Sequence, residues 1–201
     1  MGLSRIATIL GVLIALGNLV IADSADIAAL IAKRMSWPLS AGVVRRATLD
    51  QLHGCEVYDA WDRRVLDGQS VAVARLSDGA LIARSDPRAL DMVFTHCIST
   101  STSAATLAEL VARFTPNPGP LVVLHDDSRL VARMLLCESG QKFTPPEAVK
   151  EQNVLQVRFL GLAEDGAALY HLEARATADA VTVQAKRLAA GTGRHCDGGD
   201  R

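Results

Sequence analysis

Three histidines lie beside cysteines, and these pairs are the residues of the chain best suited to binding a soft metal ion. The cysteine- and histidine-bearing positions are His53-Gly54-Cys55, His96-Cys97, Cys137 and His195-Cys196. Thiolate sulfur and imidazole nitrogen are the ligands that zinc prefers. Zinc ligands, however, usually come as two cysteines or two histidines a few residues apart, and adjacent side chains of a strand point to opposite faces. We therefore predict neither a metal site nor a cofactor here, and we keep a metal- or thiol-dependent enzyme as an alternative.

The four cysteines suit two disulfides in a protein exported to an oxidising compartment. A cytosolic protein can equally hold four buried thiols, so their number alone does not decide the compartment. If they are oxidised, we predict a bridge between Cys97 and Cys137, because one ends a predicted helix and the other a predicted strand. Cys55 and Cys196 would then form the second bridge and hold the C-terminal residues.

A second cluster that could do chemistry is His125-Asp126-Asp127, which follows an apolar stretch. Catalytic and metal-binding groups often collect at such strand ends. Aspartate and serine also populate turns by hydrogen bonding to their own backbone, and we favour a turn here. Since the sequence contains no G-x-S-x-G nucleophile motif, we predict no catalytic residue.

Two further stretches allow a binding and a structural interpretation. Tyr58 and Trp61 lie among charges in residues 56–64 and could anchor a recognition surface, but aromatic side chains more often fill a core. Residues 99–103 are all serine or threonine and could contact phosphate, or could simply link two helices and cap the second.

The N-terminal segment bears on where the protein works. Residues 6–22 carry no charge, follow Arg5, and end in Val20-Ile21-Ala22. They are typical of a signal peptide cleaved after residue 22. A membrane anchor is the alternative, although about 20 apolar residues are needed to span a bilayer, and a buried helix of a soluble protein is a third.

The charges around that segment set the expected orientation and partners. Lys33, Arg34, Arg45 and Arg46 follow it, which favours a cytoplasmic C-terminal domain if the segment is an anchor. We nevertheless predict an exported protein, periplasmic or extracellular, or one anchored in the inner membrane. With 21 Lys+Arg against 22 Asp+Glu and only 4% aromatic residues, the chain lacks the composition typical of a nucleic-acid-binding surface.

The order of predicted elements indicates an α+β fold. Apolar periodicity and turn residues predict helices over 25–35, 87–97 and 104–114, with a short helix within 43–52. They also predict hairpins over 71–84, 121–136 and 154–176, a loop over 141–152, and a last strand over 180–188. Strands joined by short turns pair antiparallel, so we expect a sheet of hairpins with helices on one face, preceded by an N-terminal apolar helix.

These observations predict three regions: a signal peptide or anchor over 1–22, one α+β domain over 23–188, and a flexible tail over 189–201. The function we expect is a non-catalytic binding or assembly module of the cell envelope, with a protein partner and with the membrane contacted through residues 1–22 if they are retained. A cytoplasmic-facing, membrane-anchored interaction domain is a further alternative.

Overall fold

The computed structural model describes residues 26–38, 42–64 and 70–191, which form an α+β fold as predicted. The apolar segment over 6–22 and the tail over 192–201 lie outside the described residues. Four helices and nine strands are described, in this order: α1 (26–34), β1 (Gly42–Arg46), β2 (Glu56–Asp62), β3 (Val71–Arg75), β4 (Leu81–Ala83), α2 (Ala89–Cys97), α3 (Ala104–Phe114), β5 (Leu121–Val123), α4 (Leu130–Ser139), β6 (Glu147–Glu151), β7 (Val154–Ala163), β8 (Leu169–Ala176), β9 (Val181–Ala189).

The strands form two sheets. The first has the order β1-β2-β3-β4, and the second has the order β5-β7-β8-β9 with β6 also paired to β7. The predicted hairpin over 71–84 is confirmed, since β3 and β4 pair antiparallel with Val73 opposite Ala83. The hairpin over 154–176 is confirmed too, with Phe159 of β7 opposite Leu172 of β8. The structure thus has two sheets where the sequence led us to expect one.

The chain divides into two compact units. The described residues of the smaller unit are 26–38, 42–45 and 60–64. Its helix α1 buries Ile27, Ile31 and Ala32, and it ends before Trp37, whose backbone N–H donates to the carbonyl oxygen of Ala32 at 2.8 Å. The following Pro38 disfavours helical backbone at Trp37, as the sequence predicts.

The larger unit spans 46–59 and 70–191 and has a hydrophobic cluster on each face of the second sheet. Alternation along β7 explains this, because Val157 and Phe159 join one cluster whereas Leu160 and Leu162 join the other. Helices α2 and α3 contribute to the first cluster, and α4 contributes to the second. The sequence indicates helices on one face only, so α4 on the opposite face is an addition to that expectation.

Helix α3 has the predicted bounds, and its start is set by a serine. The Ser103 hydroxyl oxygen accepts a hydrogen bond from the backbone N–H of Thr106 at 3.1 Å, which satisfies one of the donors that a helix start leaves unpaired. Leu107, Leu110 and Val111 are buried, as the periodicity predicts. Helix α2 begins at Ala89 rather than at residue 87, because Arg88 takes a left-handed conformation with φ 62°.

The predicted hairpin over 121–136 is wrong in its second half. Residues 121–123 form strand β5, but Leu130–Ser139 is helix α4. Its buried residues Ala132, Leu135 and Leu136 follow a spacing of three and four, which is helical rather than alternating. Gly140 ends the helix in a left-handed conformation with φ 68°, for which glycine is favoured.

Two shorter predictions also fail. The helix predicted within 43–52 is absent from the described chain, and strand β1 occupies Gly42–Arg46, where Val43 and Val44 favour extended backbone. The loop predicted over 141–152 contains strand β6, which pairs with β7. Among the described residues, no helix combines the length and the apolar character needed to cross a bilayer.

Candidate ligand-binding groove

A disulfide joins Cys55 to Cys97, with 5.3 Å between their Cα atoms. The predicted pairings of Cys97 with Cys137 and of Cys55 with Cys196 are therefore wrong. Cys97 is the last residue of α2 and Cys55 directly precedes β2. The sequence predicts Cys137 at the end of a strand, but it lies in α4 on the other side of the second sheet. Cys55 and Cys97 consequently supply no thiolate for a metal ion or a nucleophile.

Cys137 is also disulfide-bonded, and Cys196 lies outside the described residues. No described cysteine is free. Over the described ranges, no group of three or more histidine, cysteine, aspartate or glutamate side chains is arranged to hold a metal ion. His53 and His96 are both exposed.

The cluster His125-Asp126-Asp127 lies in the connection between β5 and α4 and forms a turn. One oxygen of Asp126 accepts from the backbone N–H of Ser128 at 2.9 Å and from its hydroxyl at 2.5 Å. The hydroxyl of Ser128 holds the pKa of the Asp126 carboxyl below its usual value. The ring of His125 instead reaches back to α3, where Nε2 lies 2.9 Å from Oε1 of Glu109.

The same glutamate belongs to a chain of ionic contacts along α3. Its other oxygen lies 3.3 Å from Nε of Arg113, and Arg113 also contacts Asp59 of β2. The guanidinium thus joins two carboxylates, and His125 ends the chain at the surface. These contacts tie β2, α3 and the turn together, and they place no nucleophile beside His125.

The aromatic stretch over 56–64 is strand β2, and its tyrosine faces the interior. Tyr58 is only 6% exposed, and its hydroxyl donates to Oε2 of Glu56 at 2.8 Å. Burial and this hydrogen bond raise the pKa of Tyr58 to about 12. The core interpretation therefore holds for Tyr58, while Trp61 is half-buried.

A groove of about 680 Å³ lies on the face of the second sheet that α2 and α3 cover. Its floor is a row of residues paired side by side across four strands. Lys150 of β6 is opposite Leu155 of β7, Leu155 is opposite Ala176 of β8, and Ala176 is opposite Val181 of β9. With strands about 4.8 Å apart, this row is ~14 Å long.

Helix α2 supplies the facing wall. Asp91, Phe94, Thr95 and Ile98 line the groove, and their spacing of three and four places them on one side of the helix. Leu107 of α3 contributes a further apolar side chain. The groove thus has an apolar interior between a sheet and a helix.

Ser99, Thr100 and Thr102 form one rim, and contacts outside the groove hold this segment. The hydroxyl of Thr102 donates to the carbonyl oxygen of Gln51 at 3.0 Å, and that of Thr106 donates to Asp50 at 3.1 Å. The backbone N–H of His53 donates to the carbonyl oxygen of Cys97 at 2.8 Å. Together with the Cys55–Cys97 bond, these contacts fasten the segment 47–55 to the end of α2 and hold the rim in place.

Sequence reasoning missed the groove but noticed part of its rim. Of the two interpretations of 99–103, a phosphate contact and a linker that caps the next helix, the cap is confirmed, because Ser103 caps α3. The floor could not be found, because Lys150 and Leu155 become neighbours only through the β6–β7 pairing, which the sequence analysis did not predict. The helical spacing of Phe94, Thr95 and Ile98, which places them on one side of α2, is the one local feature of the sequence that indicates a wall of the groove.

Comparison with protein-family models, with curated proteins and with solved structures gives no match to this chain. The fold and the groove are therefore the observations from which a function is inferred.

Proposed function

We propose that this protein is a non-catalytic binding module of the cell envelope and that its ligand lies in the groove between α2 and the second sheet. The observation that carries the proposal is the apolar floor formed by Leu155, Ala176 and Val181 beneath Phe94 and Ile98. Small-molecule sites are typically concave, mostly apolar and ~300–1,000 Å³ in volume. The groove, at about 680 Å³, meets all three criteria.

The fixed rim supports binding rather than catalysis. The groove walls belong to α2, α3 and paired strands, and the rim is held by a disulfide and by hydrogen bonds to segment 47–55. Neither histidine nor cysteine is among its lining residues, and its one carboxylate, that of Asp91, already accepts hydrogen bonds from Val181 and Arg88. A site that is rigid before the ligand arrives loses little conformational entropy on binding.

The disulfides support an envelope location. Such bonds persist in exported proteins and are rare in the cytosol, and Cys55, Cys97 and Cys137 are all oxidised. We propose export directed by residues 1–22, with the protein periplasmic, extracellular or retained at the inner membrane. Sequencing the N-terminus of the protein purified from its native cells tests this, because a start at Asp23 is the expected result of cleavage and a start at Met1 contradicts cleavage.

A matched pair of threonine substitutions tests binding in the groove. We expect Thr95→Trp to fill the groove and to weaken binding of the uncharged fluorophore N-phenyl-1-naphthylamine at least tenfold, since Thr95 lines the α2 wall. Thr182→Trp is the control. Thr182 alternates with Val181 along β9 and so faces away from the groove. Equal binding by both variants and the unaltered protein, or no binding by any of them, would contradict the proposal.

A further inference from the structure

Two charged residues are found among those that line the groove in the described chain, Asp91 and Lys150. They lie towards opposite ends of the floor, since Asp91 contacts β9 and Lys150 belongs to β6. The groove is therefore apolar along its length and charged near its ends. Whether each charge is available to a ligand depends on what it already contacts.

Asp91 is satisfied within the protein. One carboxylate oxygen accepts from the backbone N–H of Val181 at 2.7 Å, and the other accepts from Nε of Arg88 at 3.1 Å. The guanidinium of Arg88 neutralises the carboxylate, and the hydrogen bond to Val181 fixes β9 against α2. Asp91 thus stabilises the contact between α2 and β9 at this end of the groove.

Unlike Asp91, Lys150 is not neutralised by a charged partner among the described residues. The residue is exposed, and its strand β6 pairs with β7 on one side and with no strand on the other among the described residues. Within the described ranges, Lys150 makes no ion pair. Its neighbours Glu147 and Glu151 lie at odd positions of β6, so strand alternation directs them to the other face of the sheet. Ala148 and Lys150 line the groove. The ammonium group is therefore available to an anion.

Three hydroxyl groups that line the groove already hydrogen bond within the protein. Thr102 donates to Gln51, and Thr177 donates to the carbonyl oxygen of Ala180 at 3.2 Å. The hydroxyl of Ser99 lies 2.9 Å from that of Ser101. Besides these groups, the lining contains the polar side chains of Thr95, Thr100 and Asn153, and Lys150 is the one cation among the lining residues.

We propose that the groove binds a single aliphatic chain that ends in one carboxylate, that is, a medium-chain fatty acid. The hydrocarbon lies along Leu155, Ala176 and Val181, and the carboxylate lies beside Lys150. This inference rests on the proposed function, because it assigns a ligand class to the same groove. Burying the hydrocarbon chain contributes most of the affinity, since transfer of each CH₂ from water to an apolar site is favourable, and the lysine selects the charge.

Calorimetric titration of the full chain with three ligands tests the proposal: decanoate and decyltrimethylammonium below their critical micelle concentrations, and decanol below its solubility limit. We expect decanoate to bind most tightly and decyltrimethylammonium most weakly. Lys150→Gln should weaken decanoate binding about three- to fivefold, as expected for an exposed ion pair, without changing decanol binding. Lys150→Arg should retain the preference, and Lys142→Gln, at an exposed loop position, should have no effect.

The three ligands separate failure of this inference from failure of the proposed function. If decanol and decanoate bind equally and Lys150→Gln changes neither, the ligand class is wrong and the groove remains a binding site. If none of the three binds, and N-phenyl-1-naphthylamine does not bind either, the groove is not a binding site at all. A Lys142→Gln effect equal to that of Lys150→Gln would contradict the assigned position of the carboxylate.

Discussion

Tyr58 illustrates how one buried polar group can be both a core residue and a titration probe. Its ring lies in the interior on β2, and its hydroxyl donates to the partly buried carboxylate of Glu56. Glu56 also contacts Arg46 at 3.0 Å and Arg75 at 3.5 Å. Ionising Tyr58 would place a second negative charge beside Glu56 and remove the hydrogen bond between them. The neutral phenol is therefore the form that stabilises the fold.

We predict that the free energy of unfolding falls between pH 10 and about pH 12 because of Tyr58. The pKa of Tyr58 is raised from 10.0 to about 12, so the neutral phenol stabilises the fold fully below pH 10, and this contribution is lost as the pH rises through the folded pKa. Ultraviolet titration of tyrosinate, compared between the unaltered protein and Tyr58→Phe, measures the pKa. A Tyr58 transition near pH 10 in the folded protein would contradict the prediction.

Among the helices and strands, the sequence predicted correctly those whose bounds are set by local patterns such as apolar periodicity and a capping residue. Helix α3 was predicted to the residue because its periodic apolar stripe begins at a serine cap and ends before Pro116. Helix α4 was mistaken for a strand because Leu130, Val131 and Met134 are apolar yet exposed, so they obscured the helical spacing of Ala132, Leu135 and Leu136. Strand β6 was missed because all five of its residues are exposed, so it lacks the alternation of apolar and polar residues that predicts a half-buried strand.

The cap of α3 gives a test of how that element is stabilised. We expect Ser103→Ala to lower the free energy of unfolding by about 1 kcal/mol, because the backbone N–H of Thr106 loses its acceptor. Ser103→Asn should restore most of the loss, since asparagine caps helices equally well. Urea unfolding followed by circular dichroism measures both variants. Equal loss in the two variants would show that the cap is not the source of the effect.

The position of the groove depends on contacts between residues that are distant in the sequence. Its floor combines β6, β7, β8 and β9, and its wall combines α2 and α3. Residue types could indicate that 99–103 lies at the start of a helix, but the contact of α2 with β9 through Asp91 and Val181 joins residues 90 positions apart. The correct disulfide likewise required knowing that Cys55 and the end of α2 meet, and spacing along the chain carries no such information.

We expect the double variant Cys55→Ala/Cys97→Ala to lower the free energy of unfolding by about 2–5 kcal/mol, the usual cost of removing a native disulfide. The bond spans 42 residues, so its loss gives the unfolded chain considerable extra freedom. Peptide mapping of the unaltered protein without reductant should yield a linked peptide containing Cys55 and Cys97. A linked peptide containing Cys97 and Cys137 would overturn the assignment, as would unchanged stability of the double variant.

The same bond makes residues 55–97 a covalent ring that contains β2, β3, β4 and α2. A protease that cuts the backbone once within this ring cannot separate the pieces. The nicked protein would migrate as one band on a gel and would divide into two only after reduction. This ring therefore keeps three strands of the first sheet and the helix that walls the groove linked after a cut that would divide an unbridged chain.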